Sequence, residues 1–273
     1  MSASRTLRGV MTIAVAGVLA LGLALPVSAS TTEPSDDETS SSLQRALRSG
    51  RPLLGWRIAL DPGHNGGNAA DPVAISQRVS DGRGQLKPCN TVGTSTAGGY
   101  AEHAFTFDVA ERLTEHLERL GATVLLTRED DEGVGPCVDV RGRFAEDVDA
   151  DLMISIHANG SASTEVEGFF AIVSDPAISA SQGGPSLTLA DDLIEALTAG
   201  GFTPSTAVED ALSTRSDLAT LNFARRPAVM LELGEMRNPA EAALMESEEG
   251  RQAYADAIAA GILAWTKDNE PRD

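Results

Sequence analysis

The chain is poor in cysteine, in positive charge and in long uncharged runs, and each shortage removes a class of protein. Of 273 residues only two are cysteine, Cys89 and Cys137. They do not form a C-x-x-C pair, which argues against a thiolate zinc site of the finger or ribbon kind. Lysine and arginine number 21 against 40 aspartates and glutamates, a formal charge of −19 at pH 7. Such a surface repels phosphate backbones and anionic membranes, so nucleic acid is not expected as a partner. Past residue 29 there is no apolar run of membrane-spanning length. A G-x-S-x-G elbow is missing, which disfavours serine hydrolysis. There is no internal repeat and no second apolar core.

What is present begins with an export signal. Arg5 and Arg8 precede the uncharged run Val10–Leu25, which ends in Pro26-Val27-Ser28-Ala29, a small-residue cleavage site. Residues 1–29 therefore read as a secretory signal peptide, the alternative being an uncleaved anchor. Cleavage removes two arginines and no acids, taking the charge from −19 to −21. A secreted or cell-envelope protein with one pair of cysteines is expected to join them, here Cys89 to Cys137. Closing a ring of about 49 residues would stabilise by up to ~4 kcal/mol on the loop-entropy model.

Residues 30–50, rich in Ser, Thr, Asp and Glu, read as a flexible linker. A single folded domain spans 51–267, and 268–273 form a C-terminal tail. Within the domain apolar runs and amphipathic stretches alternate. Strands are expected at Trp56–Asp61, Ala122–Thr127, Asp151–His157, Gly168–Ser174 and Pro227–Glu232. Helices are expected at Glu102–Leu120, Val138–Glu146, Ser186–Ala199 and Pro239–Trp265. This order predicts a single α/β domain built on a mostly parallel sheet. The segment Asn65–Ala101 resists the pattern. It is either a functional insertion, with a hairpin pairing part of Val73–Val79 to residues near Leu86, or a solvated loop.

Four chemically suited residues sit at the edges of apolar runs. His64 follows Ile58–Pro62, Glu102 opens an amphipathic helix on its apolar stripe, His157 ends Leu152–Ile156, and Glu232 ends Val229–Leu231. Parallel α/β sheets bind ligands at the carboxyl ends of their strands, so His64, His157 and Glu232 are expected at one rim. Two histidines and one carboxylate suit Zn2+ with a position left open for water. A further carboxylate is then needed to take and deliver protons. His64, Glu102 and His157 fit the first task and Glu232 the second. His103 lies off the apolar stripe, and His116 falls among Glu115, Glu118 and Arg119. Glu235 competes with Glu232 but follows Gly234 in what reads as a turn.

The ordered set Asp61-Pro62-Gly63-His64-Asn65-Gly66-Gly67, the Glu102 helix, Thr127-Arg128, the Arg141/Arg143 helix, Ser155-Ile156-His157-Ala158-Asn159, Glu167-Gly168-Phe169-Phe170 and Leu231–Asn238 resembles the zinc-dependent N-acetylmuramoyl-L-alanine amidases of the Amidase_3 type. It is most similar to the secreted single-domain actinobacterial members, over Trp56 to Trp265. The resemblance implies a twisted, mostly parallel sheet flanked by helices, with His64, Glu102 and His157 on zinc and Glu232 as catalytic carboxylate. It implies peptidoglycan or muropeptide as substrate, cut between the lactyl group of N-acetylmuramic acid and L-alanine. Asn159 is expected to orient substrate, and the protein to be a monomer. The segment before Glu102 is longer than the family core requires, and Glu235 and Arg237 replace more usual apolar and small residues. Two other readings stay open: a zinc peptidase cutting within stem peptides, and a non-catalytic peptidoglycan-binding protein, which the presence of Glu232 disfavours.

Overall fold

The computed structural model describes residues 50–272. The signal peptide and nearly all of the linker lie outside the described residues. A six-stranded sheet organises the rest. Its strands are β1 (Arg57–Pro62), β4 (Thr123–Leu126), β5 (Leu152–Asn159), β6 (Phe170–Ser174), β7 (Leu212–Arg215) and β8 (Ala228–Glu235). Their spatial order is β4-β1-β5-β8-β6-β7. The first four are mutually parallel, whereas β6 runs antiparallel to β8 and carries β7 parallel to itself.

Alternation along the strands sends side chains to two unequal layers. Ile58 and Leu60 of β1, Leu152, Ile154 and Ile156 of β5, and Val229 and Leu231 of β8 share the larger core. Helices α2 (Glu102–Arg119), α4 (Gly183–Ala199) and α7 (Glu248–Trp265) close that face with Phe105, Leu113, Leu189, Leu193, Tyr254 and Ile258. The intervening positions Ala59, Met153, Ala228 and Met230 meet Ala145 of α3 (Val138–Asp147) and Leu221 of α5 (Ala219–Phe223) in a smaller core. Continuing the same alternation, Asp61, Ser155, His157 and Glu232 fall on the side of the smaller layer. The site is thus reached where α3 and α5 leave space at the strand ends.

Three expectations need correction. The helix read as Pro239–Trp265 is two, α6 (Pro239–Glu246) and α7. Ser247 breaks it with extended backbone, and its hydroxyl accepts from Gly250 N at 3.0 Å to cap α7. A side chain at Gly250 would come within 2.0 Å of Leu244 O, so the close turn requires glycine. Val73 is not in a strand: Asp71 caps the short helix α1 (Pro72–Ile75), with Pro at its first position. The hairpin exists but is shorter, pairing β2 (Arg78–Ser80) with β3 (Leu86–Pro88). Glu235 is no turn residue; it belongs to β8 and pairs with Asn159. The tail also folds back, with Arg272 N donating to Asp151 Oδ1 at 2.9 Å.

Candidate active site

His64 stands just past the end of β1 and is held there by two buried arginines. Its φ of 61° lies in the left-handed region, which bulky side chains rarely adopt. Arg141 Nη2 donates to His64 O at 2.7 Å and to Asn65 Oδ1 at 2.9 Å, and Nη1 donates to Pro62 O at 2.8 Å. Arg128 donates from Nε to Pro62 O at 3.0 Å and from Nη2 to Gly63 O at 3.3 Å. Asp61 anchors the arrangement by accepting from Arg141 Nη1, Thr127 Oγ1 and Ser155 Oγ, each at 2.7 Å. Burial alone would raise the Asp61 carboxyl, but Arg141 and these hydroxyls outweigh it and hold it below its ordinary value. Gly63 is obligatory: a Cβ there would lie 2.3 Å from the His157 ring.

The second and third donors arrive from α2 and β5. Glu102, 4% exposed at the first turn of α2, sits between both imidazoles. Its Oε1 lies 3.1 Å from His64 Nε2 and 3.0 Å from His157 Nδ1. The three donor atoms lie within 4.8 Å of one another, a group able to hold a metal ion. Surrounding contacts orient them. His64 Nδ1 lies 3.0 Å from Thr91 O, which as a carbonyl can only accept and leaves Nε2 facing the centre. Glu102 Oε2 accepts from Thr94 N at 2.9 Å, and Oε1 accepts from Ala158 N at 3.2 Å. Burial would push the Glu102 carboxyl up, yet hydrogen bonds from His157 and His64 outweigh it and keep it well below the carboxylate range.

Glu232 is the direct register partner of His157 on the neighbouring strand. Burial, reinforced by the charges of Glu102 and Glu235, pushes its carboxyl well above the ordinary value. His64, Glu102, His157 and Glu232 line one cavity of about 470 Å³. The arrangement offers a two-nitrogen, one-oxygen ligand set with a separate, proton-avid carboxylate beside it. That is the constitution of a metal-assisted hydrolase.

The sequence model of the Amidase_3 family, described as N-acetylmuramoyl-L-alanine amidase, matches residues 58–264. This chain belongs to the Amidase_3 family. It is 42% identical over 214 residues to the N-acetylmuramoyl-L-alanine amidase Rv3717 of Mycobacterium tuberculosis, a match covering 78% of this chain and 87% of that protein. The crystal structure of an N-acetylmuramyl-L-alanine amidase from Mycobacterium smegmatis superposes with a TM-score of 0.77 at 41% identity, covering 80% of this chain and 99% of that one. The apo amidase of Mycobacterium abscessus gives 0.75 at 42% identity, covering 78% and 100%.

Within this Amidase_3 domain the two rival glutamates separate cleanly. His157 pairs with Glu232 but Asn159 pairs with Glu235, so β8 carries one extra residue opposite β5. Glu232 lines the cavity, whereas Glu235 is buried away from it and accepts from Asn159 Nδ2 at 2.5 Å and Ser161 N at 2.8 Å. Asn159 itself lines the cavity, with its amide already committed to Glu235. His103 and His116 stand apart from the donor set, bonded to Asp131 at 2.6 Å and Asp256 at 2.9 Å. Cys89 and Cys137 form a disulfide. Thr91 and Thr94 escaped sequence reasoning because they act mainly through backbone atoms, which no side-chain pattern encodes, with the Thr91 hydroxyl also 3.2 Å from His64 Nδ1. Arg141 had a readable signal, a cation in the middle of an amphipathic helix, but its partners could not be named from spacing.

Proposed function

We propose that this chain is a zinc-dependent hydrolase that cleaves the amide between the lactyl group of N-acetylmuramic acid and L-alanine in peptidoglycan. The observation that carries the reading is the His64–Glu102–His157 donor set opening into the same cavity as Glu232. The donor chemistry suits zinc: two imidazole nitrogens, one carboxylate oxygen, and backbone partners that fix their orientation. Zinc held there would supply an activated water and polarise the amide carbonyl.

The rest falls to the chain's own residues. Glu232 takes a proton at its carboxylate from the attacking water and returns it to the departing alanine nitrogen. Its raised proton affinity suits a shuttle, and a neighbouring dication would oppose that rise. Thr91 and Thr94 hold the ligand side chains in register through their backbone atoms. Asn159, fixed by Glu235, keeps its carbonyl oxygen available to orient an incoming amide. We place the activity in the cell envelope or outside the cell, acting as a monomer on polymer or released muropeptides.

Glu232→Gln provides the test. The variant should retain zinc and the melting temperature of the parent while losing ~10²–10⁴-fold in turnover, the usual contribution of a positioned base. Mass spectrometry of digests should show free glycan and intact stem peptides. Products cut inside the stem would establish a peptidase instead.

A further inference from the structure

Lys87 gives the cavity a charge that the hydrolytic chemistry does not use. Two cations line this space, Lys87 and Arg141. Arg141 is spent: besides the contacts described above, its Nε donates to Pro136 O at 3.0 Å. Lys87, half-buried on β3, commits one of its three ammonium protons, to Asp217 O at 2.8 Å. The charges of Asp217 and Asp81 reach it without a direct ion pair, and both Asp217 carboxylate oxygens accept from Arg215, each at 2.7 Å.

The position of Lys87 is fixed. It pairs with Val79 across the hairpin, and two residues further on Cys89 is tied to Cys137 at the start of α3. An ammonium with one of its protons bonded thus brings a positive charge to the cavity of a molecule of charge −19. An anionic substrate group would otherwise be repelled by the whole protein.

We propose that Lys87 is a specificity residue that binds the α-carboxylate of the second stem-peptide residue, a γ-linked D-glutamate. The inference rests on the amidase reading above. Among the groups adjoining the scissile bond, the sugar hydroxyls, the acetamide and the alanine are neutral. The first anion on the leaving side is that carboxylate, left free in some walls and amidated in others. Two residues of extended chain span about 7 Å, a reach that suits a cavity of about 470 Å³ lined by both Lys87 and Glu232. An ammonium paired to a carboxylate forms a charge-assisted hydrogen bond, which a carboxamide matches poorly.

The test compares two muropeptide substrates, identical except for D-glutamate or D-isoglutamine at the second position. The parent enzyme should favour the free acid in kcat/KM by about ten-fold, equivalent to ~1.4 kcal/mol. Lys87→Gln should bring that ratio close to one, mainly through KM for the acid, and Lys87→Arg should restore most of it. Zinc content and melting temperature, measured alongside, show that the variants are folded. Equal use of both substrates by the parent, or an unaltered ratio in Lys87→Gln, overturns the assignment while leaving the amidase reading intact. Failure of the parent to release a stem peptide from either substrate removes both.

Discussion

At the scale of single residues, the proposed site is a set of donor side chains aimed by neighbouring carbonyls, amides and buried arginines. The four side chains proposed to carry the chemistry were legible because each interrupts or ends an apolar run. A carboxylate or imidazole placed there must have a partner or a task. Their aiming was not legible, since Arg128, Arg141, Thr91 and Thr94 work largely through carbonyls and amides. Removing Arg141 would leave Asp61 buried without its counter-ion, and breaking such a pair typically costs ~3–5 kcal/mol. Arg141→Met should therefore lower both the melting temperature and zinc affinity, a joint loss that calorimetry and metal titration would show. Asp61 also predicts an acid limit. Its folded value lies below the ordinary one, so its contribution is complete above the unfolded carboxyl value and fades as pH falls through the folded value. Melting temperature should drop on acidification below about pH 4, with a shallower slope in Asp61→Asn; parallel slopes would place the acid limit elsewhere.

At the scale of elements, sequence reading recovered the parallel core and failed at its margins. Strands β1, β5 and β8 are continuous apolar runs bounded by polar residues, and their order along the chain suits parallel pairing. The four-residue edge strand β7 gave no such signal, because Leu212-Ser213-Thr214-Arg215 is mostly polar. Its neighbour β6 reads as a strand in either direction. The Asn65–Ala101 segment reads from sequence as either a functional insertion or a solvated loop, and its contacts favour the first. It walls the cavity, and it supplies Thr91 O to His64 and Thr94 N to Glu102. The contacts predict that a full excision of residues 68–98 behind a Gly/Ser bridge binds zinc at least ten-fold more weakly. Replacing only Asp81–Gln85, the hairpin tip, should spare zinc binding. Metal titration of the two variants distinguishes the cases, and equal affinities would reduce the segment to a cover.

At the scale of the whole molecule, the sheet brings together donors separated by most of a hundred residues, so metal binding reports on the integrity of the fold. A ligand bound only by the folded state stabilises it by about 2.7 kcal/mol at a hundred times its dissociation constant. Stripping zinc with a chelator should lower the melting temperature and restoring zinc should recover it, as a calorimetric scan would record; an unmoved transition would mean that the metal site and the fold are uncoupled. The disulfide carries this one step further in time. Cys89 lies two residues before Thr91, and its bond to Cys137 clamps the strap that steers His64. If the chain is exported as its N-terminal sequence predicts, it first meets a reducing cytoplasm in which that bond does not persist. A wall-degrading enzyme synthesised there would then lack a settled first ligand until it reached an oxidising compartment. Chains kept reduced should bind zinc more weakly than oxidised ones at equal fold content, and equal binding would break the link. The two cysteines so few in this sequence would then act as a clock for lysis, letting the enzyme mature only on the side of the membrane where its substrate is built.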